Sequence, residues 1–185
     1  FYKHNGVDFF ALTRAVTKLI NRDAITQGGS TITQQLARNV YLTHEVSWQR
    51  KVKEMFIAWE LEKMYSKDQI LEFYVNNIFY ANNCYGIESA SQKYFGKTIS
   101  ECSISEVAFL CAIPNSPSRF DPLDHKESTL TRRDVILEAM YENKKISEGE
   151  YKEALAEVIT VDSHSKSYEQ SWARSYAIHC VVEEM

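Results

Sequence analysis

Apolar residues in this chain recur three and four positions apart, the spacing of one face of an α-helix. Beyond Lys67, the residues Ile70, Leu71, Tyr74, Val75, Ile78 and Phe79 advance in pairs four apart, predicting a helix with one wide buried face. Val52, Met55, Phe56 and Trp59 repeat the pattern on the preceding segment and predict a helix buried along that stripe. Ile32, Leu36 and Val40 form a ridge one turn apart, so another helix begins near Thr31, where Thr31 and Gln34 have capping-box spacing. Ser103 with Glu106 and Ser147 with Glu150 carry the same signature and predict helices over 103–113, stopped by Pro114, and over 147–158. Leu130, Val135, Ile136, Leu137 and Met140 predict one more over 129–142. No segment alternates apolar and polar residues at any length, so the expected fold class is all-α.

Irregular chain is sparse, because only three prolines and six glycines are present. The clearest loop is PNSPSRFDP, Pro114 to Pro122, where proline fixes φ and removes backbone donors. After Val161 the sequence turns polar, in DSHSKSYEQSWARS, and then regains a short apolar pattern at Tyr176, Ile178, Val181 and Val182. Residues 1–158 are therefore expected to form one domain, with 159–185 a linker and the start of another region.

Composition narrows the function. With 185 residues, 44% hydrophobic and 25% charged, the chain can bury a sizeable core. A net charge of −4 argues against a nucleic-acid binder, yet leaves room for a local cationic site. Cys84, Cys102, Cys111 and Cys180 show no C-x-x-C spacing and are expected to be buried small hydrophobes, not a zinc site or a disulfide framework. No apolar run reaches the roughly 20 residues that span a bilayer.

Candidate chemistry gathers in two places. GGSTITQQLARN, Gly28 to Asn39, carries more neutral hydrogen-bonding groups than one helix cap requires. It reads either as a well-capped helix start or as a cradle for an anion. In the second reading, Gly28 and Gly29 let free N–H groups converge beside the Ser30, Thr31 and Thr33 hydroxyls, and Arg38 completes a phosphate grip. Gln34, Gln35 and Arg38 share much of the face opposite the apolar ridge. On the next predicted helix, Arg50 and Lys51 lie one turn before Glu54, away from the Val52–Trp59 stripe. This reads as an exposed ion pair contributing about 0.3–0.5 kcal/mol, or as a carboxylate held among cations that bind phosphate. Nearer the start, Phe9, Phe10, Leu12, Val16, Leu19 and Ile20 mix with Arg14, Lys18 and Arg22 in an amphipathic basic segment.

In order and spacing, GGSTITQQLARN, RKVKE, LEKMYSKDQILEFYVN, YGIESASQKYFGK and AIPNSPSRFDP resemble the peptidoglycan glycosyltransferase (transglycosylase) domain of class A penicillin-binding proteins and their monofunctional relatives. The resemblance runs from residue 1 to about 158. It implies a lysozyme-like all-α fold with a large lobe, a smaller membrane-associated lobe and a long cleft. It also implies polymerisation of lipid II, in which a sugar hydroxyl displaces undecaprenyl diphosphate with inversion. Carried over by position, Ser30, Thr33, Gln34, Gln35 and Arg38 contact substrate, Arg38 standing where relatives usually have lysine. Arg50 and Lys51 bind the diphosphate, and Glu54 is the second acidic catalytic residue. No cofactor is required by the resemblance, which admits a divalent metal, Mg or Mn, at Glu54.

The first motif of that family matches at Phe1, His4, Gly6 and Asp8, with His4 and Asp8 expected to support their loop. Its general-base glutamate falls four positions before Phe1, so residues 1–185 alone are expected to be inactive. Val46 departs from a position where many relatives carry a phosphate-holding arginine. Glu72, Tyr74 and Asn76 resemble a motif that braces the cleft, and Arg119 reads as structural. The implied partners are lipid II, the growing glycan chain, the membrane surface and a possible C-terminal transpeptidase domain, with no nucleic acid. The implied location is the outer face of the bacterial cytoplasmic membrane, held by an anchor outside this sequence. A lysozyme-like glycan hydrolase shares the fold class but has no use for a phosphate grip. A non-catalytic module that binds a lipid-linked diphosphate is the third reading.

Overall fold

The computed structural model describes residues 1–20, 29–41 and 47–162. Expectations resting on Arg22, Gly28, Val46, Cys180 and the tail from residue 163 lie outside these residues, as do the side chains of Leu12, Val16, Lys18, Leu19 and Ile20. The described elements are helical, with one isolated bridge between Phe79 and Tyr85. They divide into two compact units, Phe1–Asn77 and Ile78–Met185.

The first unit holds α1 (Phe9–Ile20), α2 (Ile32–Tyr41), α3 (Trp48–Met64) and α4 (Lys67–Asn77). Asp8 caps α1 by accepting from the Ala11 N–H at 2.9 Å, and that bond holds its carboxyl below the usual range. Thr31 caps α2 as its spacing predicts. Its Oγ1 accepts from the Gln34 N–H at 3.1 Å, while Gln34 Oε1 accepts from the Thr31 N–H at 3.0 Å. Leu36 and Ala37 of α2, Leu61 of α3 and Ile70 of α4 form the buried core, with Val40, Phe73 and Tyr74 packed against it.

Two expectations fail here. On α3 the stripe predicted to be buried faces outward: Val52, Phe56 and Trp59 are exposed, and Trp48 extends the row. The residues α3 buries are Glu54, Ala58 and Leu61. The small Ala58 lets the backbone of Gly6 approach closely, so that face takes the contact despite its charged neighbours. On α4 the periodicity overshoots. The helix stops at Asn77, with Ile70 its one buried position, and Ile78 is buried beyond the helix end, where its carbonyl accepts from the Gly86 N–H.

The second unit holds α5 (Ile87–Phe95), α6 (Ile104–Ala112), α7 (Lys126–Glu142) and α8 (Glu148–Ala156). The Ser103–Glu106 and Ser147–Glu150 capping boxes form at α6 and α8. Helix α7 begins three residues before the expected start and leaves Val135 exposed. Ala108, Leu137, Ile146 and Ala154 make its core. Arg133 is buried there, donating to Ser105 Oγ and the Glu157 carbonyl and pairing with Asp134. Arg119 is exposed over the Phe120 ring.

The described cysteines are free thiols, and Cys111 is exposed on α6, against the expectation of burial. Cys84 is buried, and burial pushes its thiol up to about 11. Because the thiolate is the nucleophile, native Cys84 is expected to react with iodoacetamide at pH 8 about 100-fold more slowly than in the unfolded chain. Cys111 is solvent-exposed, though its surroundings also push its thiol pKa up, and it is expected to label faster than Cys84. Mass-spectrometric mapping of timed labelling checks both, and equal rates at Cys84 in native and unfolded protein would contradict the burial.

Candidate active site

The site is assembled within the first unit, from the loop before α2 and the first two turns of α3. Ser47 accepts from the Arg50 N–H and caps α3, so Arg50, Lys51 and Glu54 fall on consecutive turns just inside the helix. Lys51 Nζ donates to Ser30 Oγ at 2.7 Å and stands 2.9 Å from Glu54 Oε2. One ammonium thus ties the approach to α2 to the carboxylate of α3. Glu54 is only 1% exposed, which rules out the solvated helix pair. Neither of its oxygens has a partner in hydrogen-bond geometry, so the contact with Lys51 is one of charge alone. Arg50 Nε is likewise buried without a hydrogen-bond partner. Buried polar atoms left unpaired are costly, and Arg50 and Glu54 carry such atoms one turn apart on α3.

The hydroxyls and amides around this point separate into two groups. Ser30 and Gln35 are half-buried, and Tyr74 Oη donates to Gln35 Oε1 at 3.1 Å. Arg38 is half-buried in the last turn of α2. Thr33 and Gln34, by contrast, are engaged within the fold. Thr33 is fully buried and donates to Glu62 Oε1 at 2.6 Å, and Gln34 closes the α2 cap.

The loop carrying His4, Gly6 and Asp8 runs along the buried face of α3. Gly6 has φ +76°, and a Cβ there would lie 2.9 Å from the Ala58 carbonyl oxygen. Its own carbonyl accepts from Thr31 Oγ1. His4 Nδ1 is buried without a partner, and burial, with Lys67 nearby, depresses the imidazole's pKa. Glu62 and Lys67, which join this loop to the helices, escaped the sequence reading because their partners outside the pair, Thr33 and the His4 carbonyl, lie far away along the chain. No local signal would have found them.

The family model described as Transglycosylase matches residues 1–141. The chain belongs to the transglycosylase family. It is 43% identical over 162 residues to penicillin-binding protein 4 of Bacillus subtilis, covering 88% of this chain and 26% of that protein. It is 43% identical over 165 residues to the monofunctional glycosyltransferase of Staphylococcus epidermidis, covering 85% of this chain and 61% of that one. The crystal structure of penicillin-binding protein 1A from Haemophilus influenzae is similar with a TM-score of 0.50 at 28% identity, over 83% of this chain and 19% of that chain. This transglycosylase chain therefore spans about a quarter of the penicillin-binding proteins it matches. Its helices agree with the lysozyme-like all-α class that the motifs implied. Among the described residues of the transglycosylase, no helix is long and apolar enough to cross a membrane.

Proposed function

We propose that this chain carries the site of a peptidoglycan glycosyltransferase that polymerises lipid II. The observation that carries the reading is the buried Glu54 carboxylate, without a hydrogen-bond partner and 2.9 Å from Lys51, with Arg50 one turn before it on α3. In the reaction a sugar hydroxyl of one lipid-linked disaccharide attacks the anomeric carbon of the other. The C–O bond to phosphate breaks, and undecaprenyl diphosphate leaves with the electron pair and inversion at carbon. Negative charge develops on that leaving group, which calls for fixed cations and donors placed in advance. Lys51, Arg50 and Arg38 supply the charge, while Ser30 and the Gln35 amide supply neutral donors. The attacking hydroxyl loses its proton to a general base, which the family resemblance sets four positions before Phe1.

Lys51 is both the counter-ion of Glu54 and a diphosphate ligand, so substrate phosphate competes with the carboxylate for one ammonium. Glu54 limits how tightly the diphosphate is held and so favours its release. A divalent ion at this point would be held by Glu54 Oε1 with substrate oxygens, since the described residues offer no group of three metal-ligating side chains. Such an ion would add charge at the diphosphate. On α1, Phe9 at 56% and Phe10 at 89% exposure stand beside the exposed Arg14 and support contact with the bilayer that holds the lipid, at the outer face of the cytoplasmic membrane. A transpeptidase domain following residue 185 fits the penicillin-binding relatives.

The test is lipid II turnover by the protein carrying this domain with the segment upstream of Phe1. Long glycan and released diphosphate lipid are the expected products, and residues 1–185 alone are expected to give neither. Shortening of added cell-wall glycan without use of lipid II would favour the hydrolase. Binding of lipid II with no product from the extended protein would favour the non-catalytic module.

A further inference from the structure

Lys67, the first residue of α4, makes three contacts that the reaction outlined above does not use. Its Nζ donates to the His4 carbonyl at 2.6 Å and to Glu62 at 2.7 Å, and lies 4.5 Å from the centre of the Phe1 ring. The two charged side chains are 19% and 8% exposed, so this is a nearly buried pair. Glu62 is fixed in turn by the fully buried Thr33 hydroxyl. A buried ion pair is a poor source of stability compared with apolar packing, because desolvation offsets most of the attraction. What it provides is direction, since an ammonium aims its N–H donors at particular oxygens.

Those oxygens belong to the loop that the first motif occupies. Lys67 holds the carbonyl of His4 from the start of α4, and Thr31 holds the carbonyl of Gly6 from the start of α2. The two tethers grip the backbone on either side of Asn5. The loop's other surface is α3 itself, with Gly6 against Ala58 and the Lys67 tether at Glu62. Ala58 and Glu62 follow Glu54 by one and two helical turns, about 6 and 12 Å along the same helix. The loop is therefore indexed along α3 relative to the carboxylate of the site.

We propose that Lys67 is a positioning residue, which through the Glu62–Lys67–His4 carbonyl relay fixes the first-motif loop, and the chain entering it at Phe1, at a set distance from Glu54. Its consequence for turnover rests on the glycosyltransferase reading; its consequence for the loop does not. In the protein carrying this domain, Lys67→Met is expected to lower kcat for lipid II polymerisation 10- to 100-fold while KM moves less than threefold, because Lys67 touches no substrate. Lys67→Arg, which retains the cation, is expected to recover to within fivefold of the parent. Amide exchange at Gly6 and Val7 is expected to quicken at least tenfold in Lys67→Met, and the His4 imidazole, relieved of a neighbouring cation, to titrate at higher pH by NMR.

Thr33→Val loosens Glu62 without removing a charge and is expected to shift exchange and kcat in the same direction by a smaller factor. It serves where Lys67→Met does not fold. Unchanged exchange at Gly6 and Val7 in a folded Lys67→Met or Thr33→Val variant would overturn the proposal, as would loosened exchange with kcat held within twofold, or a rise in KM alone. A parent protein that does not polymerise lipid II would defeat the functional reading, and the exchange and titration measurements would still decide the tether.

Discussion

Glu54→Gln is expected to reduce lipid II polymerisation by two to four orders of magnitude and leave the fold no less stable. The two halves of this result come from the same geometry. The Glu54 side chain is buried, and neither oxygen has a hydrogen-bond partner, so no bond within the fold is lost when the carboxylate becomes an amide of the same shape. The contact given up is the charge pair with Lys51, whose side chain is one-third exposed and which retains Ser30 as a partner. Buried polar groups without bonds oppose folding, so neutralising one is close to neutral or mildly stabilising. Activity responds in the opposite sense, because the family resemblance makes Glu54 the second acidic catalytic residue, and loss of a positioned acid–base group typically costs a factor of about 10²–10⁴.

Lys51 is expected to bind the lipid diphosphate more tightly in the variant, freed of its competitor, so KM falls as kcat falls. Steady-state kinetics with urea unfolding of the same preparations checks all three parts. Turnover within tenfold of the parent would remove Glu54 from the mechanism. A loss of more than about 2 kcal/mol of stability would instead make it a structural partner, on the scale of a broken buried network.

The chemistry of this site was more legible in the sequence than its packing. Local rules were reliable: the capping boxes at Thr31, Ser103 and Ser147 form because cap and partner lie three residues apart, and a hydroxyl can accept from the helix N–H while donating elsewhere, as Thr31 does to Gly6 and Ser103 to Glu157. The cluster of Ser30, Lys51 and Glu54 was accessible through motif order, and the burial of Glu54 excluded the solvated helix pair. Periodicity located α3 but assigned its inside to the wrong face. A 3.6-residue repeat shows that a helix has two faces; which one is buried depends on what can approach it. Here a glycine with positive φ approaches Ala58, and that fact belongs to residues 6 and 58 together.

The same reasoning resolves the surplus of hydroxyls and amides in GGSTITQQLARN. Thr31 and Gln34 cap the helix and Thr33 holds Glu62, leaving Ser30 on Lys51 and Gln35 on Tyr74. Spacing treats Thr33 and Ser30 alike. Only the partner 29 residues away on α3 separates them.

Gly6→Ala is expected to cost about 2–5 kcal/mol, a large part of the 5–15 kcal/mol that typically holds a domain. Two terms add. A left-handed φ of +76° strains any residue with a Cβ by about 1–2 kcal/mol. The new methyl would also sit 2.9 Å from the Ala58 carbonyl oxygen and 3.3 Å from Glu62 Cγ, an overpacked contact costing about 1–3 kcal/mol. Backbone cannot step aside as a flexible side chain can, so the loop must lift from α3 and stretch the Thr31 bond to the Gly6 carbonyl. Two other glycines separate the terms. Gly96 has φ +67° with nothing within 4 Å of a Cβ, so Gly96→Ala carries the strain without the clash and is expected to cost about 1–2 kcal/mol. Gly149 lies in α8 with Ser147 Oγ at 3.9 Å, so Gly149→Ala is expected to gain about 0.4–1 kcal/mol. Urea unfolding of the three variants, followed by circular dichroism, should rank them in that order. If Gly6→Ala cost no more than Gly96→Ala, the first-motif loop would not be seated on α3, and the indexing of that loop against Glu54 would fail with it.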